Sequence, residues 1–163
     1  GQHVGGADGG AQVFQQFGGL LQGRGPFVVR GLVEERLGGV GLHVLAVGPA
    51  VEIQAVDPAA EYVSYAREAV GDSRATFQVG TAEALPFADE TFDLVFIDAD
   101  HSEAAVREDI AAWQPKVKPG GVIAGHDYGG KNHTGVAVAV DDIYRSHHHP
   151  VRIEANKVWW TIR

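Results

Sequence analysis

The run FDLVFIDADHSEAAVRED, residues 92–109, decides the fold class. Its first seven residues, 92–98, are nearly all apolar, the composition of a strand covered on both faces. The run breaks at the polar turn Asp98-Ala99-Asp100-His101. Beyond it Val106, Ile110 and Trp113 recur at i, i+4 and i+7, a helical stripe that Pro115 and Pro119 close off. A buried strand, a polar turn and an amphipathic helix, in that order, are the makings of a parallel βαβ unit.

The same alternation repeats in both directions. Upstream, 52–57 (EIQAVD) is a short apolar run ending in an acid. Residues 59–70 (AAEYVSYAREAV) put Tyr62, Val63, Ala66, Ala69 and Val70 on one helical face, and 75–79 (ATFQV) reads as a strand before the loop 80–91 with Pro86. Downstream, 121–126 (GVIAGH) is another buried strand, and Val136, Val140, Ile143 and Tyr144 mark a helix. The segments 151–154 and 157–162 read as a strand pair joined by a tight turn around Asn156. Helices between strands imply right-handed parallel crossovers. The expected class is therefore α/β, a Rossmann-like open, mostly parallel sheet with a C-terminal antiparallel hairpin. In such sheets ligands sit beyond the carboxyl ends of the strands. The candidate site residues are thus Asp57, Gly80-Thr81-Ala82-Glu83, Asp98-Ala99-Asp100-His101 and His126-Asp127-Tyr128.

The 163 residues suffice for one domain with a core, and 45% hydrophobic with 21% charged residues is an ordinary globular mixture. No apolar run nears the roughly 18 residues of a membrane span, and no leader resembles a signal peptide. Zero cysteines leave no disulfide or thiolate chemistry. A net charge of −8 without a Lys/Arg cluster disfavours a phosphate backbone as ligand. The expected partner is a small-molecule acceptor, with no nucleic acid and no membrane. A homo-oligomer stays open, and a cytoplasmic location is the expectation. A start at Gly1 and the lack of methionine suggest a trimmed or partial product.

The series AVDP (55–58), VGTAEALPF (79–87), FDLVFIDADHSEAAVRED (92–109), VKPGGVIAGHDY (117–128), GVAVAVDDI (135–143) and VWWTIR (158–163) resembles class I S-adenosylmethionine-dependent methyltransferases in order and spacing. The likeness is greatest to a small-molecule subgroup with DADH and GHDY turns, and it covers about two-thirds of the chain. It implies methyl transfer from S-adenosylmethionine to an oxygen or nitrogen of a small molecule. By resemblance Asp57 accepts the ribose hydroxyls, a charge-assisted bidentate contact; the rival reading from the residues alone is a carboxylate in a solvated turn that caps the helix that follows. Thr81, Ala82 and Glu83 occupy the place where the family reads adenine, with Thr81 where Asp is usual; Thr81 could instead cap a short turn. Asp98 falls beside the sulfonium or, as in the cation-dependent relatives, on a divalent metal, whose other ligands would be His126 and Asp127. Without a metal, His101 or His126 serves as general base, since a histidine titrates near neutrality; or His126 merely closes its strand with a backbone hydrogen bond. Asp127 completes the acceptor side. Glu103 stands where the family commonly has an aromatic residue. The triplet His147-His148-His149 lies at a helix end, where histidine suits the dipole, and Trp159 and Trp160 fall on opposite faces of the last strand.

The resemblance fails at the front. Fourteen of 22 glycines lie in residues 1–50, which hold six charged side chains. The candidate first strand 42–47 (LHVLAV) is followed by Gly48-Pro49-Ala50-Val51 and then by the strand ending at Asp57, with no glycine-rich cofactor loop and no helix. A parallel crossover needs a dozen or more residues, whereas the five Cα steps from Val47 to Glu52 reach at most about 18 Å. The first strand and first helix are therefore expected to be altered or missing. Residues 40–56 could form an antiparallel hairpin at Gly48-Pro49. Alternatively 1–50 could pack as irregular helices, with Phe14, Phe17 and Leu21 on one face and Leu32 to Leu37 as a short helix. A deletion or shifted frame would also account for the glycine excess. The expected division is a weakly ordered, glycine-rich segment 1–50 and a methyltransferase-like domain 51–163. The rival function is a non-catalytic relic or partner-binding domain. A nicotinamide-dependent dehydrogenase would also need phosphate-binding glycines and leaves DADH and GHDY unexplained.

Overall fold

The computed structural model describes residues 27–30, 51–129, 134–154 and 157–163. Among them are strands β1 (Phe27–Arg30), β2 (Ile53–Asp57), β3 (Ala75–Val79), β4 (Phe92–Ile97), β5 (Val117–Gly125), β6 (Arg152–Glu154) and β7 (Val158–Ile162). Helices α1 (Ala60–Val70), α2 (Glu103–Trp113) and α3 (Thr134–Ile143) lie between them. The strands form one sheet in the order β3-β2-β1-β4-β5-β7-β6. β1 to β5 are parallel, and β7 runs antiparallel to both its neighbours. This is the expected class, an open, mostly parallel sheet closed by an antiparallel hairpin.

Strand β4 alternates between the two faces, as its composition requires. Leu94 and Phe96 join Ala55, Phe77 and the α1 residues Val63, Ala66 and Val70. Val95 and Ile97 join Val106, Ile110 and Trp113 of α2 and Val136, Ala139 and Val140 of α3. Burying each of the larger apolar side chains contributes about 1.5–3 kcal/mol, so two packed faces hold the middle of the sheet firmly. Trp159 and Trp160 pack on opposite faces, as read from the sequence.

Three details depart from the sequence reading. Tyr62 is 39% exposed and Ala69 is also exposed, so α1 buries only the narrower stripe Val63, Ala66 and Val70. The helix covers the β2–β3 end of the sheet, and one line of contacts suffices there. Second, β5 begins at Val117, not 121. Pro119 lies inside this strand, where the register against β4 shifts between Phe92 and Leu94; a bulge is a place where a strand accepts proline and glycine. Third, the place of the first strand is filled by Phe27–Arg30, which pairs in parallel with β2 on one side and β4 on the other. The first strand is thus altered rather than missing. Residues 31–52 separate it from β2, long enough for a parallel crossover. Because β1 and β3 take both edges of β2, the antiparallel hairpin of 40–56 is excluded. The stretch 42–47, the Leu32–Leu37 helix, the Phe14, Phe17 and Leu21 face and the turn at Asn156 lie outside the described residues. Among the described residues no helix is long and apolar enough to cross a membrane.

Candidate active site

From β1 the chain turns to β2 and β3 on one side, then crosses to β4 and β5 on the other. The reversal between β1 and β4 opens a crevice at the carboxyl ends of the strands, where open α/β sheets bind ligands. The register aligns this rim. Arg30 of β1 pairs with Val56 and with Ile97, so Asp57 and Asp98 each lie one residue beyond the same level, two strand spacings or about 10 Å apart. Ile97 pairs with Gly125, which brings His126 to that level on the next strand. Residues 57, 98 and 126 therefore leave the sheet on one rim.

On the β2 side, Asp57 is only 6% exposed. Its Oδ1 accepts the Ala59 N–H at 2.7 Å, so it does shape the entry to α1, while its own carbonyl accepts the Gly80 N–H at 3.0 Å and ties the β2 and β3 tips together. Thr81 stands ahead of the short 3-10 turn Ala82–Ala84 in an extended conformation, but its side chain makes no capping bond. Capping does not account for it. Thr81 and Glu83 are exposed beside Val79, which is 57% exposed.

On the β4–β5 side four polar side chains meet. Asp98 and Asp127 are buried at 7% and 4% exposure. His101 Nε2 lies 3.0 Å from Asp127 Oδ2 and 3.8 Å from Asp98 Oδ1. His126 Nδ1 lies 3.1 Å from the same Asp127 oxygen. Asp98, His101 and Asp127 offer donor atoms within 4.8 Å of one another. The sequence reading assigned the metal set to Asp98, His126 and Asp127. The structure puts His101 in the compact group, because the turn after β4 brings His101 back over Asp98, while the backbone N–H of His126 closes the strand onto Ile97 O at 3.1 Å. Two carboxylates and an imidazole fit a divalent cation of mixed oxygen and nitrogen preference. They equally fit a carboxylate-oriented histidine base.

The surrounding turns hold this group. Asp100 accepts the Ser102 N–H at 2.7 Å, and Ser102 in turn caps α2 by accepting the Ala105 N–H at 3.4 Å. The Ser102 hydroxyl and N–H hold the Asp100 carboxyl below its usual range. Gly135 lets α3 approach closely: a Cβ there would come within 2.5 Å of His101 O and Glu103 N. A hollow of about 540 Å³ opens beside His101, lined by Asp100, Glu103, Thr134 and Val138 among others. Asp127 itself has φ +61°, uncommon for a side-chain-bearing residue but least so for Asp and Asn. Tyr128 donates its hydroxyl to Asp141 of α3, and burial together with that carboxylate pushes the phenol pKa up. The sequence reading passed over Asp141; its signal was only its place, 13 residues beyond Tyr128, on a helix already predicted. The His147 to His149 triplet lies apart from the donor group: His149 Nδ1 contacts Thr161 Oγ1 at 3.0 Å and His147 Nδ1 contacts Ser146 Oγ at 2.9 Å.

Known proteins share the fold that carries this rim. The family model described as a methyltransferase domain matches residues 21–128, which takes in β1 as well as the rim of β2, β4 and β5. A comparison with curated proteins gives no match. Among solved structures, the O-methyltransferase from Bacillus cereus in complex with SAH is 14% identical with a TM-score of 0.70, over 100% of this chain and 84% of that one. A SAM-dependent methyltransferase from Aquifex aeolicus is 18% identical with a TM-score of 0.67, over 93% and 87% of the two chains. At those identities the structural likeness speaks for the fold, while the family match extends over most of the parallel sheet. The chain belongs to the methyltransferase-domain family, with the fold of the class I S-adenosylmethionine-dependent methyltransferases.

Proposed function

We propose that the chain transfers the methyl group of S-adenosylmethionine to an oxygen or nitrogen of a small molecule. The observation that carries this reading is the convergence of Asp57, Asp98, His101 and Asp127 on one rim around the strand reversal. The cofactor supplies an electrophilic methyl on a sulfonium. Asp57 holds the ribose: a carboxylate has about four lone-pair sites, so the bond to Ala59 and a ribose contact are compatible. Thr81, Ala82 and Glu83 flank the adenine, with the exposed Val79 as an apolar floor. Asp98 faces the methionine end, where a carboxylate favours the sulfonium charge in a partly desolvated site.

On the acceptor side, His101 takes the proton of the nucleophile, and Asp127 orients its ring and stabilises the charged imidazole. The remaining contribution is alignment of the two reactants. The hollow beside His101 is the place for the acceptor, and the Bacillus cereus neighbour, an O-methyltransferase, favours an oxygen nucleophile. A second chemistry rests on the 4.8 Å donor group: Asp98, His101 and Asp127 would hold a divalent cation that acidifies the acceptor hydroxyl.

Calorimetric titration with S-adenosylmethionine tests the proposal. We expect binding tighter than about 100 μM, roughly 5.5 kcal/mol, and its loss in Asp57→Ala. No detectable heat at millimolar cofactor would sink the reading and leave the non-catalytic relic, for which no cofactor site is needed. Chelation separates the two chemistries. Turnover that persists in excess chelator supports His101 as base, whereas turnover restored by Mg²⁺ or Mn²⁺ but not in Asp98→Asn supports the cation.

A further inference from the structure

We infer that the Tyr128 hydroxyl and the Asp141 carboxylate form a positioning latch that keeps Asp127 in the left-handed conformation from which it meets His101. Asp127 carries φ +61°, a conformation that aspartate tolerates better than most side-chain-bearing residues but that still relies on its surroundings to hold it. Both flanking residues are anchored. The His126 N–H donates to Ile97 O at 3.1 Å, and the Tyr128 N–H donates to Lys157 O at 2.9 Å. The Tyr128 side chain adds a third tie, since its hydroxyl lies 2.8 and 2.9 Å from the two carboxylate oxygens of Asp141 on α3. Arg145, one turn further along the chain, lies 3.2 Å from Asp141 Oδ1 and sets its guanidinium 5.7 Å from the centre of the Tyr128 ring. Tyrosine, acid and arginine thus hold one another, tying the turn to α3.

The geometry makes this more than packing. A change of φ at Asp127 from the left-handed to the extended region redirects its Cα–Cβ bond and carries Oδ2 away from His101, breaking the 3.0 Å contact. Tyr128→Phe keeps the ring and removes only the hydroxyl bonds to Asp141 on α3. The role is therefore positioning, exerted through Asp127, and its functional meaning rests on the reading of Asp98, His101 and Asp127 as the reacting group.

The test needs neither cofactor nor acceptor. NMR of the full, isotopically labelled chain would follow the Asp127 Cα and Cβ shifts and HN–Hα coupling, which report φ, together with the His101 imidazole nitrogens. Three variants are compared: Tyr128→Phe, Asp141→Asn and, as control, Tyr144→Phe, which removes the hydroxyl bond to Gln114 (2.7 Å) without touching the turn. We expect Tyr128→Phe and Asp141→Asn to take Asp127 out of its left-handed signature and to displace the His101 signals. Tyr144→Phe should lower the melting temperature and leave both unmoved. Wild-type Asp127 and His101 signals in Tyr128→Phe and Asp141→Asn would overturn the latch, as would equal displacement by Tyr144→Phe. Asp141 is 44% exposed at its side chain, so Asp141→Asn keeps the test open if Tyr128→Phe fails to fold. Failed cofactor binding alongside a displaced Asp127 would sink the methyl-transfer reading and spare the latch; the reverse pattern would do the opposite.

Discussion

Asp57 shows how one side chain can satisfy two readings of a sequence. Acid-after-strand is what a ribose needs and also what a helix entry needs, and the carboxylate visibly does the second through Ala59. Asp100 is a sharper case, because its hydrogen bonds set its ionisation. Its bonds from Ser102 favour the charged form and lower its pKa. The sign follows: a folded value below the ordinary value near 3.9 means that the turn is stabilised at every pH above about 4 and loses that contribution as pH falls through the folded value. We expect the Asp100 carboxyl carbon to titrate with a midpoint below that of an unstructured aspartate. A midpoint at or above it would show that the Ser102 bonds do not favour the carboxylate.

Helix α2 separates the effect of a cap from that of a core. Ser102 accepts a single long bond at its N-terminus, 3.4 Å, whereas Trp113 at the other end is fully buried, with Phe87 and Phe92 at ring-centre distances of 6.0 and 6.4 Å. Loss of an N-cap costs typically about 1 kcal/mol, and truncation of a buried tryptophan about 3–5 kcal/mol. Denaturant unfolding of Ser102→Ala and Trp113→Ala should therefore rank them in that order, with the tryptophan variant several-fold worse. The reverse order would mean that the DADHS turn, rather than the core under α2, limits the stability of this element. The helix periodicity that predicted Val106, Ile110 and Trp113 was legible because it is local. The helix ends at Trp113, ahead of both prolines, as read; the start of β5 at Val117 rather than 121 escaped because a bulge that admits Pro119 depends on the neighbouring strand, not on the proline.

At the scale of the whole molecule the sheet depends on its shortest parallel strand. Phe27–Arg30 pairs on both sides, with β2 and with β4, so without it β2–β3 and β4–β5–β7–β6 share no ladder among the described strands. A chain begun at residue 51 should accordingly lose the dispersed amide spectrum and the cooperative thermal transition of the full chain. A cooperative melt from that shorter chain would show that β2 and β4 can pair directly, and that the crevice between Asp57 and Asp98 owes nothing to β1.

Period and local chemistry were enough to read the two-sided strand at 92–97, the α1 to α3 alternation, the closing hairpin and the acids at strand ends from the residues alone. The sequence also ruled out 42–47 as a parallel neighbour joined directly to β2, since chain reach is a property of length alone. Which segment stands in the middle of the sheet emerged from the folded chain alone, because a four-residue strand carries too little pattern and is recognised by the two ladders it completes. The same holds for the choice of His101 over His126 in the donor group and for Asp141 beneath Tyr128. Those partners lie on different elements, and their meeting is set by register and by the close approach at Gly135, neither of which any local run of residues encodes.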